Sequence, residues 1–467
     1  MEPVVSTARP PTPTTVAAAL CAEHISVATL LAFTGLVILE GPAAGWMALA
    51  AGCGYVVLSL LVVAPLRRSQ IYSLSDFVEW RLESRWVRRF VSFCVVLVGC
   101  VSVLALLVVA GQALAVLVGT PQWVGWLLLV VAALPIAVLG TLGSSTGFQA
   151  LQFWGLLLVL GVALLILAVV LPAGVGAEPL SNAGTAETSA SLLPSSTTGQ
   201  YSLYLALTLG IVGFPQLAVR GSMIRDARQA RRTVLLVVPL LALLLLVPFG
   251  YAALVRQTAE NTSVPAESLL FTLPFALGPG WLATVVTVLV GAGISLALVA
   301  GVGSLLRVMG GALAQCVLGG GLGTLRIGAM LALKVPVVAI VAIPGLSELD
   351  LAVLVAMVFQ VSAVTLAPVL LLGIWWPRLT DVGVAAGIIT GGIGMVLSLA
   401  ARSLHPDGLV GELASQPVLV LAPLVTMAMI TVSLLTVHRL PSTVDAHLVR
   451  MHLPADGEGS TQTACRE

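Results

Sequence analysis

The chain has 467 residues, of which 59% are hydrophobic and only 9% charged, with a net charge of +1 and a mean hydropathy of +1.10. A soluble globular domain carries about 25% charged residues, so this is a polytopic membrane protein whose length is shared among many spans. A near-neutral chain with no basic tract interleaved with aromatics excludes nucleic acid as a partner.

The first fifteen residues, MEPVVSTARPPTPTT, are Pro/Thr-rich. They read as a disordered stretch, 1–14, without the basic start of a cleaved signal, so the first span is expected to stay in the mature chain. That span, 15–39, holds the most informative feature of the sequence: Glu23 and His24 in the middle of an apolar run. About 20 apolar residues cross a bilayer. A charge at mid-membrane costs about 3 kcal/mol on insertion scales, so such groups usually face a cavity, a partner or a permeating solute. A buried pair that only fixes packing is the plainer reading.

Span two covers 44–66 and is followed by Arg67, Arg68, Arg81, Arg85, Arg88 and Arg89. Among these arginines, residues 72–81 read as a short amphipathic helix, with Ser75 as its cap and Trp80 and Trp86 at the interface. Spans three to five fall at 88–118, 121–141 and 147–172. Their glutamines, Gln112, Gln149 and Gln152, read as interhelical hydrogen bonders or as ligands. Residues 173–200 have no Lys or Arg and are rich in Ser and Thr, as an outer loop would be.

Span six, 201–219, contains Gly210, Gly213, Pro215 and Gln216, residues that either interrupt the helix or merely kink it. Arg220, Arg225, Arg228, Arg231 and Arg232 follow it. Spans seven to ten fall at 232–255, 278–312, 327–346 and 350–375, the last with Gln360. Residues 256–277 form a second outer loop, and the glycine run 319–321 is a flexible inner one. Spans eleven and twelve are 382–403 and 416–437, and the polar tail, 438–467, reads as mobile.

Positive residues stay cytoplasmic. With twelve spans the arginine clusters fall on one side, which orients both termini inward in a cell membrane. Six cysteines without CxxC spacing read as small packing residues. No P-loop, HExxH or GxSxG is present, and four of the five histidines (405, 438, 447 and 452) lie outside the spans or at their ends. The chain therefore does not read as an enzyme, and ATP-driven transport would need another subunit.

Interrupted helices mark the binding sites of many secondary transporters. Spans one and six open two successive groups of five. That spacing suits an inverted five-plus-five repeat, 15–172 and 201–375, followed by two further helices, with a site between the halves.

Several stretches then resemble the sodium:solute symporter family, closest to its acetate/monocarboxylate permease branch. Residues 26–35 followed by Gly41-Pro42-Ala43-Ala44-Gly45 resemble the first core helix and its outer turn. Residues 73–78 with Arg81 and Val87-Arg88-Arg89 resemble the inner segment before the third core helix, and 140–149 (GTLGSSTGFQ) a glycine-rich stretch ending in Gln. Residues 210–220 with 226–231 resemble the pattern "G-x-P…R…D-x-x-x-A-R". Residues 367–372 with Trp376, Thr380 and Gly383 resemble the tenth core helix and its exit. These matches are colinear from about residue 22 to 400.

The resemblance implies a LeuT-like inverted repeat with broken first and sixth core helices, and solute uptake coupled to sodium. It places the solute among core helices one, three, six, eight and ten. His24 would meet the solute, and the carbonyls of Ala22 and Ile25 would face a sodium site. Glu23 corresponds to an acidic residue of the acetate branch. Three departures stand out. The helix that commonly precedes the first core helix is missing from this sequence. Residues 290–295 carry glycine and alanine where helix eight usually offers hydroxyls, leaving Ser295 a few residues on. The usual acid at the inner end of that helix is replaced around Arg307.

The expectation is a symporter of a small organic acid such as acetate. His24, Gln112, Gly210, Gly213, Gln216 and Gln360 would surround the solute, and Ala22, Glu23, Ile25 and Ser295 the coupling ion, sodium or a proton, with no organic cofactor. The alternative is a homologue that no longer transports and serves as a membrane subunit or sensor.

Overall fold

The computed structural model describes residues 12–71, 73–139, 142–170, 197–216, 227–258, 280–316, 322–343, 345–404 and 416–452, with a few isolated positions between them. Every ordered element among these residues is helical. Residues 1–11 of the stretch expected to be disordered, most of both expected outer loops, the glycine run 319–321, the arginines at 220 and 225 and the tail beyond 452 lie outside the described residues, whereas Pro13 and Thr14, also expected to be disordered, are helical.

All twelve apolar runs correspond to a helix or a broken pair of helices. Span one is split into α1 (Pro13–His24) and α2 (Val27–Glu40). Span two comprises α3 (Gly45–Val57), a π-helical stretch (Leu58–Val63) and α4 (Ala64–Ser69). The short α5 (Leu74–Leu82) leads into α6 (Arg85–Val118), α7 (Gln122–Leu139) and α8 (Leu142–Val170). The second group is α9 (Thr197–Gly213), α10 (Ala227–Thr258), α11 (Trp281–Cys316), α12 (Leu322–Ala342) and α13 (Leu351–Trp375). It is followed by α14 (Asp381–Leu404), α15 (Pro417–Leu435) and the short α16 (Val444–His452). Nine helical stretches among the described residues are long and apolar enough to cross a bilayer unaided. Helix α1, helix α9 and the apolar stretch Gln122–Ile136 of α7 fall short of that length, and α2 is counted within the continuous stretch Val27–Ser69.

The packing repeats itself. Helix α1 packs on α8 and α10, and α9, its counterpart five spans later, packs on α13 and α3. Helix α6 pairs with α7 as α11 pairs with α12, and α6 meets α13 as α11 meets α8. Exchanging the two groups of five maps each contact onto another, as an inverted repeat requires.

Local chemistry sets the interruptions. Thr12 caps α1, taking the Thr15 amide on its hydroxyl at 3.3 Å, with Pro13 at the first helical position. The helix stops at His24 because Ile25 turns to ψ 73°, its amide closing on the Cys21 carbonyl at 2.8 Å. Ser26 then caps α2 by accepting from the Thr29 amide at 3.3 Å. Span six breaks at Phe214, directly before Pro215, which has no amide to offer.

Two sequence expectations need correction. The cap of α5 is Ser73, whose hydroxyl accepts from the Asp76 amide at 3.1 Å; Ser75 is buried one residue inside the helix. Residues 444–452 are helical and docked where a mobile tail was expected. Arg68 donates to the carbonyls of Met451 and His452, Arg450 to Gln70, and the His447 ring lies 4.1 Å from that of Trp80.

The arginine-bearing end is densely paired. Arg81, 1% exposed, donates to the carbonyls of Gly373, Trp376 and Pro377. Asp381 accepts from Arg439 at 3.1 and 3.2 Å, from the Trp86 indole at 2.9 Å and from Ser84 at 3.4 Å. Arg88 pairs with Asp76 at 2.8 Å and with Glu79.

Candidate functional site

The two breaks meet at a small cavity of about 30 Å³. The α1–α2 junction contributes Ala22, Glu23, His24, Ser26, Ala28 and Thr29. Helix α6 gives Ser102, Ala105 and Leu106, and the span-six break gives Phe214 and Gln216. Gly301, Ser304 and Leu305 come from α11, and Val355, Val358 and Phe359 from α13. These are spans one, three, six, eight and ten.

Glu23 and Ser304 form the polar centre. The Ser304 hydroxyl donates to the Glu23 carboxylate at 2.7 Å, and both residues are buried. Because α1 ends here, the carbonyls of its last turn lack intrahelical donors, and the first amides of α2 lack intrahelical acceptors. The end of α1 thus presents partial negative charge, and the start of α2 partial positive charge, to one small space. A cation suits the first and a carboxylate the second.

His24 is 4% exposed and sits between the rings of Tyr55, 5.2 Å away and nearly perpendicular, and Phe359, 5.3 Å away. Phe359 in turn stacks on Phe214 at 6.1 Å. His24 Nδ1 and the Tyr55 hydroxyl are buried without a hydrogen-bond partner among the described residues. A buried polar atom left unsatisfied costs about 1–3 kcal/mol; of these two residues, His24 borders the cavity.

The expected site residues divide into groups. Ala22, Glu23, His24 and Gln216 line the cavity. Ile25 is buried beside it and contributes the turn. Gly210 and Gly213 serve close packing. A Cβ on Gly210 would meet the Phe359 carbonyl at 2.6 Å, and one on Gly213 would meet Ala367 N and the Ser362 carbonyl at 2.6 Å. Ser362 also donates to the Gly210 carbonyl at 2.8 Å. Gln112 and Gln360 are half-buried and outside the lining.

Ser295 is displaced from the site altogether. It is exposed and donates back to the Gly291 carbonyl at 2.8 Å. The hydroxyl on that helix facing Glu23 is Ser304, nine residues further along, or about 13 Å of helix rise. The long α11 places residues 301–305, and not 290–295, level with the break in span one. A depth count would have found this: from the arginine-bearing end, Ser304 and Glu23 lie equally deep in spans 278–312 and 15–39. Thr29, Ser102, Phe214 and Phe359 were also missed, being ordinary residues of apolar runs until the packing is known.

The sequence profile of the sodium:solute symporter family matches residues 7–391. The chain belongs to the sodium:solute symporter family. This symporter is 26% identical over 418 residues to a monocarboxylic acid transporter of Corynebacterium glutamicum, covering 81% of this chain and 75% of that one. It is 24% identical over 409 residues to an uncharacterized symporter, YwcA, of Bacillus subtilis, covering 83% and 78% respectively. Its fold matches that of a Na+-coupled sialic acid symporter in a substrate-bound outward-open state, with a TM-score of 0.65 and 13% identity, over 91% of this chain and 89% of that one. The symporter thus has the LeuT-like inverted repeat, and it is a multi-pass membrane transporter, not an enzyme. Its family couples movement of a solute to a cation.

Proposed function

We propose that this symporter takes up a short monocarboxylate across the cell membrane and that Glu23 holds the coupling cation. The arginine-bearing end and both termini face the cytoplasm, where positive residues are retained. The observation that carries the reading is the Glu23–Ser304 contact across the break in span one, inside the cavity that also contains His24 and Gln216.

The carboxylate of Glu23, the Ser304 hydroxyl and the free carbonyls at the end of α1 together offer oxygens to a hard cation. The solute's carboxylate binds on the other side, at the first amides of α2 with His24 and Gln216, while its apolar part lies against Phe214, Phe359, Val355 and Val358. Cation and anion neutralise each other in a site with few charges, so each raises the other's affinity. The filled site then closes on one side and opens on the other as the two repeats rock. The family and the resemblance to a monocarboxylic acid transporter support sodium and a monocarboxylate. If the coupling ion is a proton instead, Glu23 is the residue placed to carry it.

The test is uptake of labelled acetate and propionate into proteoliposomes under an imposed sodium gradient, with potassium replacing sodium as control and an imposed proton gradient in parallel. The expected result is accumulation that needs sodium. Accumulation driven only by the proton gradient would reassign the ion, and no uptake of any short monocarboxylate under either gradient would overturn the reading.

A further inference from the structure

His24 is the last residue of α1 and borders the cavity, and of its two ring nitrogens Nδ1 is the one sealed off without a partner. Beside it, outside the cavity lining, stands Tyr55 of α3, wholly buried, its hydroxyl likewise sealed and without a partner among the described residues. The two rings lie 5.2 Å apart at 84°, so two orphan polar groups sit side by side. The nearest polar group one turn earlier on α1, the Cys21 thiol, is already committed to the Val237 carbonyl at 3.5 Å. Tyr55 is held in place by its chain neighbour: a Cβ on Gly54 would meet the Thr208 carbonyl at 2.8 Å and Ile211 Cδ1 at 2.9 Å, so α3 is pressed against α9 at this level. His24 is the movable member of the pair, because the helix stops with it and Ile25 leaves the helical conformation.

We infer that Tyr55 is a positioning residue for the solute: when the solute binds, the Tyr55 hydroxyl donates to His24 Nδ1 and holds the imidazole with its proton on Nε2, directed at the solute's carboxylate. The inference rests on the monocarboxylate reading and adds to it the group that makes a neutral histidine a donor to an anion. A neutral imidazole has one N–H and one lone pair, and the bond made by one nitrogen decides the role of the other. With the proton on Nδ1, the lone pair of Nε2 would confront the carboxylate. Pairing with Tyr55 removes that form and satisfies both sealed atoms at once. Phe359, on the other side of His24, has no polar atom with which to choose between the two forms.

The test is a double-mutant cycle on labelled propionate uptake in proteoliposomes. Tyr55→Phe removes only the oxygen, and His24→Gln keeps an amide nitrogen near the place of Nε2 with nothing polar at Nδ1. Tyr55→Phe should raise the half-saturating propionate concentration roughly tenfold in the wild-type background and less than about twofold in the His24→Gln background. The thermal midpoint of the solute-free protein should not fall, because the hydroxyl that is removed has no partner there. A second measurement needs only wild-type protein: 15N spectra of histidine-labelled transporter, from which the His24→Gln spectrum is subtracted to isolate one ring among the five histidines. Saturating propionate with sodium should give an Nε2–H imidazole whose Nδ1 accepts a hydrogen bond. Unchanged propionate affinity in Tyr55→Phe, an equal loss in both backgrounds, or a propionate-loaded His24 protonated on Nδ1 overturns the inference while leaving monocarboxylate transport standing. A wild type that takes up neither acetate nor propionate overturns both.

Discussion

Arg81 and His24 are both almost wholly buried, yet their surroundings differ. At the arginine-bearing end, Arg81 donates to three carbonyls, and Asp381 nearby accepts from Arg439, Trp86 and Ser84. At mid-bundle, a ring nitrogen of His24 and the hydroxyl of Tyr55 meet no partner among the described residues, and Glu23 faces a cavity. The first arrangement spends its polar groups on the fold. It ties the connector between spans two and three to the end of span ten and to α16. The second keeps polar capacity in reserve at the point where both repeats are interrupted. Buried polarity therefore has two meanings in this molecule, and the bordering cavity separates them: Arg81 Nη1 also lacks a partner among the described residues, but the rest of its guanidinium is held by three carbonyls, whereas Glu23 and His24 line an opening.

The paired end is most sensitive at Arg81. Arg81→Met would strand three carbonyls at the end of α13, with an expected loss of about 3 kcal/mol. A thermal unfolding midpoint in detergent that matched the wild type would remove the structural role assigned to this end. Burial lowers the pKa of Arg81 to about 10, with Asp445 opposing the shift, so the guanidinium remains charged near neutrality.

A smaller effect is expected at Gly213, which the sequence offered as a site residue and the structure uses for packing. Gly213→Ala places a methyl 2.6 Å from Ala367 N and the Ser362 carbonyl. Such overpacking costs about 1–3 kcal/mol. The midpoint should fall while the relative affinities for different acids stay the same; altered relative affinities with an unchanged midpoint would return Gly213 to the site.

The smallest effect concerns His447, stacked on Trp80. Burial, with Arg81 and Arg450 close by, holds its pKa below the usual value, against the opposing pull of Glu83. A histidine depressed in the folded state is protonated more readily when released, so docking of α16 is fully favoured above about pH 6.5 and weakens below it. The change is at most about 1 kcal/mol after solvent screening. Hydrogen exchange over residues 444–452 should accelerate at pH 5.5 relative to pH 7.5, and equal rates would show that the stacked ring does not govern docking.

Much of this architecture was legible in the sequence because a bilayer permits few solutions. Twelve apolar runs, arginine clusters on one side and a polar interruption five spans before a Gly/Pro interruption suit the repeat that the packing shows. The break in span one was legible only as polarity, although Ser26 and Thr29 carry a capping signal three residues apart. The site was half legible. Glu23 and His24 stand out by charge in an apolar run. Ser304 does not, because serine is common in membrane helices and only depth relative to another span singles it out. Gly210 and Gly213 misled because a glycine that loosens a helix and one that admits a neighbouring backbone look alike in sequence. The docking of α16 was hidden for a different reason: it depends on ring stacking and on Arg68 capping the helix end, and neither leaves a periodic pattern.

The central claim is that Glu23, at the broken span and bound to Ser304, holds the coupling ion. Glu23→Gln keeps shape and hydrogen bonding but not charge, so proteoliposomes containing it separate solute binding from coupling most directly. Exchange of internal for external acid at equal ion concentrations should persist, while accumulation driven by an ion gradient should fall at least tenfold. Gradient-driven accumulation equal to that of the wild type would contradict it.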